Sequence, residues 1–166
     1  MAKFVKISAL SQPSCAARYS GDMEGMVQIM QRHLQANIAQ VLADSPDLIV
    51  LPEVCDRFPS MPLEVRKEYY RYRGNRIRDM YCEIAREHKC YIAYSACRLI
   101  EGETNHPFRN STQLIGRDGE IVGIYDKNHL VPAEYDEGEI SYGTEPTVLE
   151  TDFGRVGFAI CFDLNY

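Results

Sequence analysis

Apolar and polar residues alternate through KFVKISAL, and that period of two predicts a strand over residues 4–10. After a Pro/Ser/Gly stretch the period lengthens. Met23, Met26, Val27, Met30, Leu34, Ile38, Val41 and Leu42 recur at spacings of three and four, which predicts a helix over 22–43 with one apolar face. SPDLIVLPE then reads as a turn and a buried strand over 48–51, closed by Pro52, with Glu53 just past its end. Ile77, Met80, Tyr81, Ile84 and Ala85 mark a second helix over 75–88, and CYIAYSACRLI a strand over 90–100. Two hairpins follow: 111–115 with 120–125 around Asp118-Gly119, and 148–151 with 155–161 around Asp152-Phe153-Gly154. The order β-α-β-α-β and then hairpins predicts an α/β layered fold with mixed strand directions.

Length and composition narrow the classes. A chain of 166 residues fits one domain and can bury a real core; 45% hydrophobic and 25% charged residues are ordinary for a globular protein. A net charge of −6 argues against a general nucleic-acid binder, which needs a basic surplus to meet phosphate. RKEYYRYRGNRIR (66–78) runs against that balance, yet reads first as a solvated loop and helix face rather than an RNA or phosphate patch. No stretch approaches the roughly 20 apolar residues of a membrane span. Lys3 and Lys6 interrupt the only apolar run near the start, so no signal-peptide core is expected. Six cysteines without such a signal predict reduced thiols and a cytoplasmic location. Cys82, Cys90 and Cys97 are spaced too widely for a zinc knuckle, and no metal site is expected.

Two strand ends carry reactive groups. Glu53 follows one strand, Cys161 ends another, and in open α/β sheets that edge is where ligands bind. A cysteine nucleophile acts as its thiolate and, at a free pKa near 8.5, needs a neighbouring base or cation to form it. Glu53 supplies a candidate base. Lys127, in GIYDKNHL, supplies a cation that can also hold an oxyanion. Taken singly, each has a plain structural reading: a strand cysteine, a loop carboxylate, a surface lysine.

Together, in this order, LPE (51–53), DGEIVGIYDKNHLVPAE (118–134) and FGRVGFAICFD (153–163) resemble the three signatures of the nitrilase superfamily, the carbon–nitrogen hydrolases. The first strand leading to Gln12, and Asn110-Ser111, extend the resemblance over nearly the whole chain. It implies a nitrilase-like αββα four-layer sandwich with mixed sheets, of which residues 1–166 would be the N-terminal portion of a single domain. It also implies Glu53 as general base, Lys127 as oxyanion-stabilising cation, Cys161 as nucleophile, the Phe162 N–H as an oxyanion donor, and Glu134 as a second glutamate positioning substrate or water. The implied reaction cleaves a small linear amide or N-carbamoyl compound through a thioester, with no cofactor. Nitriles, or a non-catalytic scaffold role, are the alternatives. His129 becomes a structural histidine ordering the lysine loop rather than half of a Cys-His pair, and Asp163 a source of hydrogen bonds behind the turn. Tyr69, Tyr70 and Asn165 are candidate substrate contacts, and a homo-oligomer is the expected assembly.

Two departures stand out. Asn165 occupies a place where many members carry arginine, which weakens the expectation of an α-carboxylate substrate; the acidic segment 134–139 reads first as a solvated loop, and otherwise suits an amine-bearing substrate. Family domains also continue for roughly another hundred residues past the cysteine. Val148, Val156, Phe158 and Ile160 are therefore expected to lack part of their apolar cover, worth roughly 25 cal/mol per Å². The segment alone is expected to be inactive and poorly soluble, or to take its missing half from another chain.

Overall fold

The computed structural model describes residues 4–11 and 13–166; Gln12 lies outside the described residues. Strands β1 (Ile7–Ala9), β2 (Leu48–Val50), β3 (Tyr91–Leu99), β4 (Phe108–Ile115) and β5 (Ile121–Asp126) form one sheet in that order. β1, β2 and β3 are parallel, whereas β4 and β5 are antiparallel to their neighbours. Helices α1 (Met23–Leu42), α2 (Leu63–Arg73) and α3 (Arg76–His88) supply the crossovers. The short helix α4 (Pro132–Asp136) and the ribbon of β6 (Val148–Thr151) with β7 (Gly154–Gly157) follow. Among the described residues no helix is long and apolar enough to cross a membrane.

The predicted helical stripe is the face α1 buries. Met26, Val27, Met30 and Leu34 have no exposed surface, and full burial of such a side chain is worth about 1.5–3 kcal/mol. The helix stops where Ser45 turns to a positive φ of 49° ahead of Pro46. Three helices cover one face of the sheet, meeting Ile49, Ile92, Tyr94, Phe108 and Ile115. The other face presents Leu48, Tyr91, Ala93 and Leu114 to Leu149, Phe153 and Phe158 of the ribbon. The layers described are thus helix, sheet and ribbon, in keeping with the αββα expectation; a fourth layer has no counterpart among the described residues. Val148 stands 62% exposed on that side, while Ile160 is buried.

Two local readings change. The basic segment is not a solvated face: it forms α2, with Lys67, Tyr69, Tyr70 and Arg73 buried. Burial of these long polar side chains is possible because Arg73 Nη1 lies 3.0 Å from Asp56 Oδ2, and Tyr94 donates to the same oxygen at 2.7 Å. A run of polar letters conceals this, since the buried charges of Lys67 and Arg73 meet Glu139 and Asp56, both outside the segment. The last predicted strand is also shorter than expected. β7 ends at Gly157, and residues 158–160 run on to a 3₁₀ turn, Cys161–Asn165.

Candidate active site

Topology gathers the site. Because β2 and β5 run one way and β4 the other, the residues after β2, at the start of β4 and after β5 meet at one sheet edge. Those residues are Glu53, Asn110 and Lys127. The Lys127 backbone is clamped on both sides, its N–H donating to Asn110 O at 2.8 Å and its carbonyl accepting from Gly143 N–H at 2.8 Å. Gly143 must be glycine for this approach, since a Cβ there would strike the Asp126 carbonyl.

The Lys127 side chain, 1% exposed, lies between two carboxylates. Its Nζ is 2.9 Å from Glu53 Oε1 and 2.9 Å from Glu134 Oε2. Asn110 Nδ2 bridges the same pair, donating to Glu53 Oε1 and Glu134 Oε1 at 2.8 Å each. Glu134, on α4, also accepts from the Val131 N–H at 2.9 Å. Sequence reasoning did not assign Asn110 a site role; its only signal was its place at the head of β4. Glu53 keeps 33% of its side chain exposed, so the cluster is closed behind and open in front.

Cys161 opens the 3₁₀ turn with φ of 48°. For a non-glycine residue that conformation is strained, on the order of 1–3 kcal/mol, and such strain concentrates at functional sites. Asp163 holds it. Its carboxylate accepts from Ile160 N–H at 2.9 Å and Tyr125 OH at 2.7 Å, and from the His129 N–H at 2.8 Å. The cysteine turn is thereby tied to the loop that follows Lys127. The His129 ring is occupied as well, with Nδ1 3.0 Å from Asp163 and its face stacked on Tyr166 at 4.0 Å. A cavity of about 160 Å³ is lined by Glu53, Ser95, Thr112, Phe158 and Cys161.

Ionisation follows from these contacts. Burial works to raise the Glu53 carboxyl, but hydrogen bonds from Lys127 and Asn110 outweigh it and hold the pKa below the ordinary 4.5. Burial disfavours the charged Lys127, and its hydrogen bonds to Glu53 and Glu134 reverse that, holding it above 10.5. Burial and the Glu53 carboxylate push the Cys161 thiol up, against the pull of Lys127. The resting state is a carboxylate, an ammonium and a neutral thiol.

The other candidates separate. The Phe162 N–H falls in the first turn of the 3₁₀ segment, where helical pairing supplies no acceptor. Tyr70 lines a cavity beside Glu134. Tyr69 is fully buried against Phe58, with ring centroids 5.2 Å apart, and belongs to the core. Asn165 closes its own turn by donating to Phe162 O at 3.2 Å. Among the described residues no group of three His, Cys, Asp or Glu side chains could hold a metal ion.

A layered α/β chain thus presents a thiol, a carboxylate and a buried ammonium at one sheet edge. The chain belongs to the carbon-nitrogen hydrolase family, which it matches over residues 7–166. Deaminated glutathione amidase of Mus musculus is 28% identical over 129 residues, covering 72% of this chain and 40% of the relative. The chloroplastic omega-amidase of Arabidopsis thaliana is 32% identical over 65 residues, 34% of this chain and 17% of the relative. An amidase variant from Nesterenkonia sp. AN1, solved after Michael addition of acrylamide at its active-site cysteine, superposes with a TM-score of 0.72 at 17% identity. That superposition covers 98% of this chain and 59% of the amidase. The chain spans well under half the length of these curated relatives.

Proposed function

We propose that this chain carries the reacting groups of an amidase that hydrolyses a small linear amide or N-carbamoyl compound through a cysteine thioester. The observation that carries the reading is Lys127, enclosed between Glu53 and Glu134 with Cys161 held in a strained turn beside Glu53. Glu53 takes the thiol proton as Cys161 Sγ attacks the carbonyl carbon. Lys127 Nζ and the Phe162 N–H stabilise the oxyanion, as preorganised donors do in a water-poor site. The proton passes from Glu53 to the departing nitrogen, and ammonia or an amine leaves a thioester on Cys161. Water deprotonated by Glu53 then releases the acid and regenerates the thiol. Glu134, fixed by Lys127, Asn110 and Val131, orients the amide nitrogen and later the water. The raised thiol pKa makes Glu53 a true general base, drawing the proton during attack rather than resting beside a preformed thiolate.

Residues 1–166 form, on this reading, the N-terminal portion of a single hydrolase domain, in keeping with the partial share of the longer relatives that the chain covers. Among the described residues none of the six cysteines is in a disulfide, which suits a reducing, cytoplasmic compartment. A homo-oligomer belongs to the same proposal.

The test is ammonia release from a panel of primary amides, with Cys161→Ala as control and acrylamide as a covalent probe. We expect wild-type protein to release ammonia and to gain one acrylamide at Cys161, and Cys161→Ala to do neither. Equal release by both proteins would remove the nucleophile from Cys161. Turnover of nitriles alone would move the protein to the nitrilase branch.

A further inference from the structure

The cavity that holds the nucleophile also holds two hydroxyls that the reaction does not use. Its volume is about 160 Å³, and Glu53, Ser95, Thr112 and Cys161 line it together. Ser95 is 3% exposed, and its Oγ has no hydrogen-bond partner. A buried hydroxyl left unpaired is costly and uncommon, so its place beside a nucleophile points to a ligand. Thr112 stands directly across from Ser95 in the register of β3 with β4, which puts both side chains on one face of the sheet. Apart from Glu53 and Cys161 the rest of the wall is apolar, with Val50, Leu51, Ala93, Phe158 and Ile160.

The backbone fixes this hydroxyl pair against the reacting groups. Leu51 N–H donates to Ala93 O at 3.1 Å and Cys55 N–H to Ser95 O at 3.0 Å, so two bonds to β3 bracket Glu53. Charge has little to offer a ligand here. Among the described residues no Lys, Arg or His lines the cavity, and Glu53 is already bonded by Lys127 and Asn110. A carboxylate would meet only Glu53, and an ammonium would have to draw Glu53 away from Lys127.

The carbon attacked by Cys161 has three substituents, and they divide among three places. Its oxygen goes to Lys127 and the Phe162 N–H, and its nitrogen to Glu134. None of these three residues lines the cavity, which leaves it for the acyl chain. At about 30 Å³ per non-hydrogen atom, the share of one water in the liquid, it has room for roughly five.

We propose that Ser95 and Thr112 recognise the acyl chain, so that the preferred substrate is a short primary amide whose chain ends in an uncharged hydroxyl. This rests on the amidase reading above. A serine or threonine hydroxyl both donates and accepts, which matches a substrate hydroxyl. An apolar chain of the same size leaves Ser95 Oγ unpaired, and a site of that kind discriminates against the analogue that lacks the group.

The experiment measures kcat/KM for four primary amides of equal chain length, ending in methyl, hydroxyl, ammonium or carboxylate. It uses wild type, Ser95→Ala, Thr112→Ser and the Ser95→Ala/Thr112→Val double variant. We expect wild type to favour the hydroxyl over the methyl amide by about tenfold, mainly through KM, the scale of one good hydrogen bond. Ser95→Ala alone should lower that ratio about threefold or more. The double variant should favour the methyl amide, and Thr112→Ser should keep the wild-type order. A wild-type ratio near one, as solvent filling the cavity would give, overturns the assignment. So does preference for a charged amide, or a hydroxyl preference that survives in Ser95→Ala and the double variant. Turnover of none of the four with acrylamide still adding at Cys161 overturns it while leaving the nucleophile in place; loss of both overturns the amidase reading as well.

Discussion

Two clusters in this molecule bury a cation against carboxylates, and they are built to opposite ends. In the core, Arg73 meets Asp56 one to one, with side chains 4% and 0% exposed and the Tyr94 hydroxyl between them. At the sheet edge, Lys127 is shared by Glu53 and Glu134 and backed by Asn110, while Glu53 stays open to a cavity. The first holds α2 against the sheet with both charged groups buried. The second has one carboxylate more than it has lysines, so a proton can arrive and leave without separating the cation from all its partners. Burial of charge is common to both; access and shared partners distinguish a reacting cluster from a structural one.

The largest effect should come from the open cluster. Glu53→Gln keeps the size and one acceptor but removes the base, and kcat should fall by about 10²–10⁴. Stability should change little, because Lys127 keeps Glu134. Single-turnover acylation and urea unfolding of the same sample measure the two quantities, and a large stability loss with intact turnover would erase the distinction drawn above. In the closed cluster the order reverses. Asp56→Ala strands the Arg73 guanidinium in the core and should lower unfolding free energy by about 3–5 kcal/mol. Asp56→Leu combined with Arg73→Met should recover most of that loss, since apolar replacement of a whole buried pair is often neutral. If the double variant is no better than the single, the pair is more than a packing solution.

The smallest effect is in the pH dependence of stability. Glu53 has a folded pKa below its ordinary 4.5, so its stabilising contribution is complete above that value and is lost as pH falls through the folded one. Lys127 has a folded pKa above 10.5, so its contribution is complete below that value and is lost as pH rises through the folded one. Lys127→Met removes the main source of the Glu53 depression. It should therefore flatten the acid limb below pH 4.5 and the alkaline limb above 10.5 in a series of urea midpoints. An unchanged acid limb would show that Asn110 alone depresses Glu53.

Much of this is legible in the sequence, for physical reasons. The helix predicted over 22–43 is observed as Met23–Leu42, and the strands predicted over 48–51 and 90–100 as Leu48–Val50 and Tyr91–Leu99. In each, one uninterrupted period and a terminating Pro or polar turn leave little choice. The segment 63–73 was harder because its polar letters hide a buried face made legible only by Asp56 and Glu139. The final strand ends at Gly157, short of the predicted 161: VGFAIC is apolar throughout, and apolarity alone does not say where the chain leaves the sheet. Glu53, Lys127 and Cys161 stand out from residue type and local context, Glu134 only through the family resemblance, and Asn110 carries no chemical signal of its own.

The sequence by itself determined the α/β order, the apolar faces and the residues with reactive atoms, because period, turn chemistry and functional group are local properties. Only the tertiary structure decided what those residues share. Antiparallel β4 brings Asn110 between two glutamates, Asp163 ties the Cys161 turn to the Lys127 loop, and Lys67 on α2 pairs with Glu139 beyond α4. Charge balance depends on distance in space, and distance in space is set by strand direction and packing rather than by position along the chain.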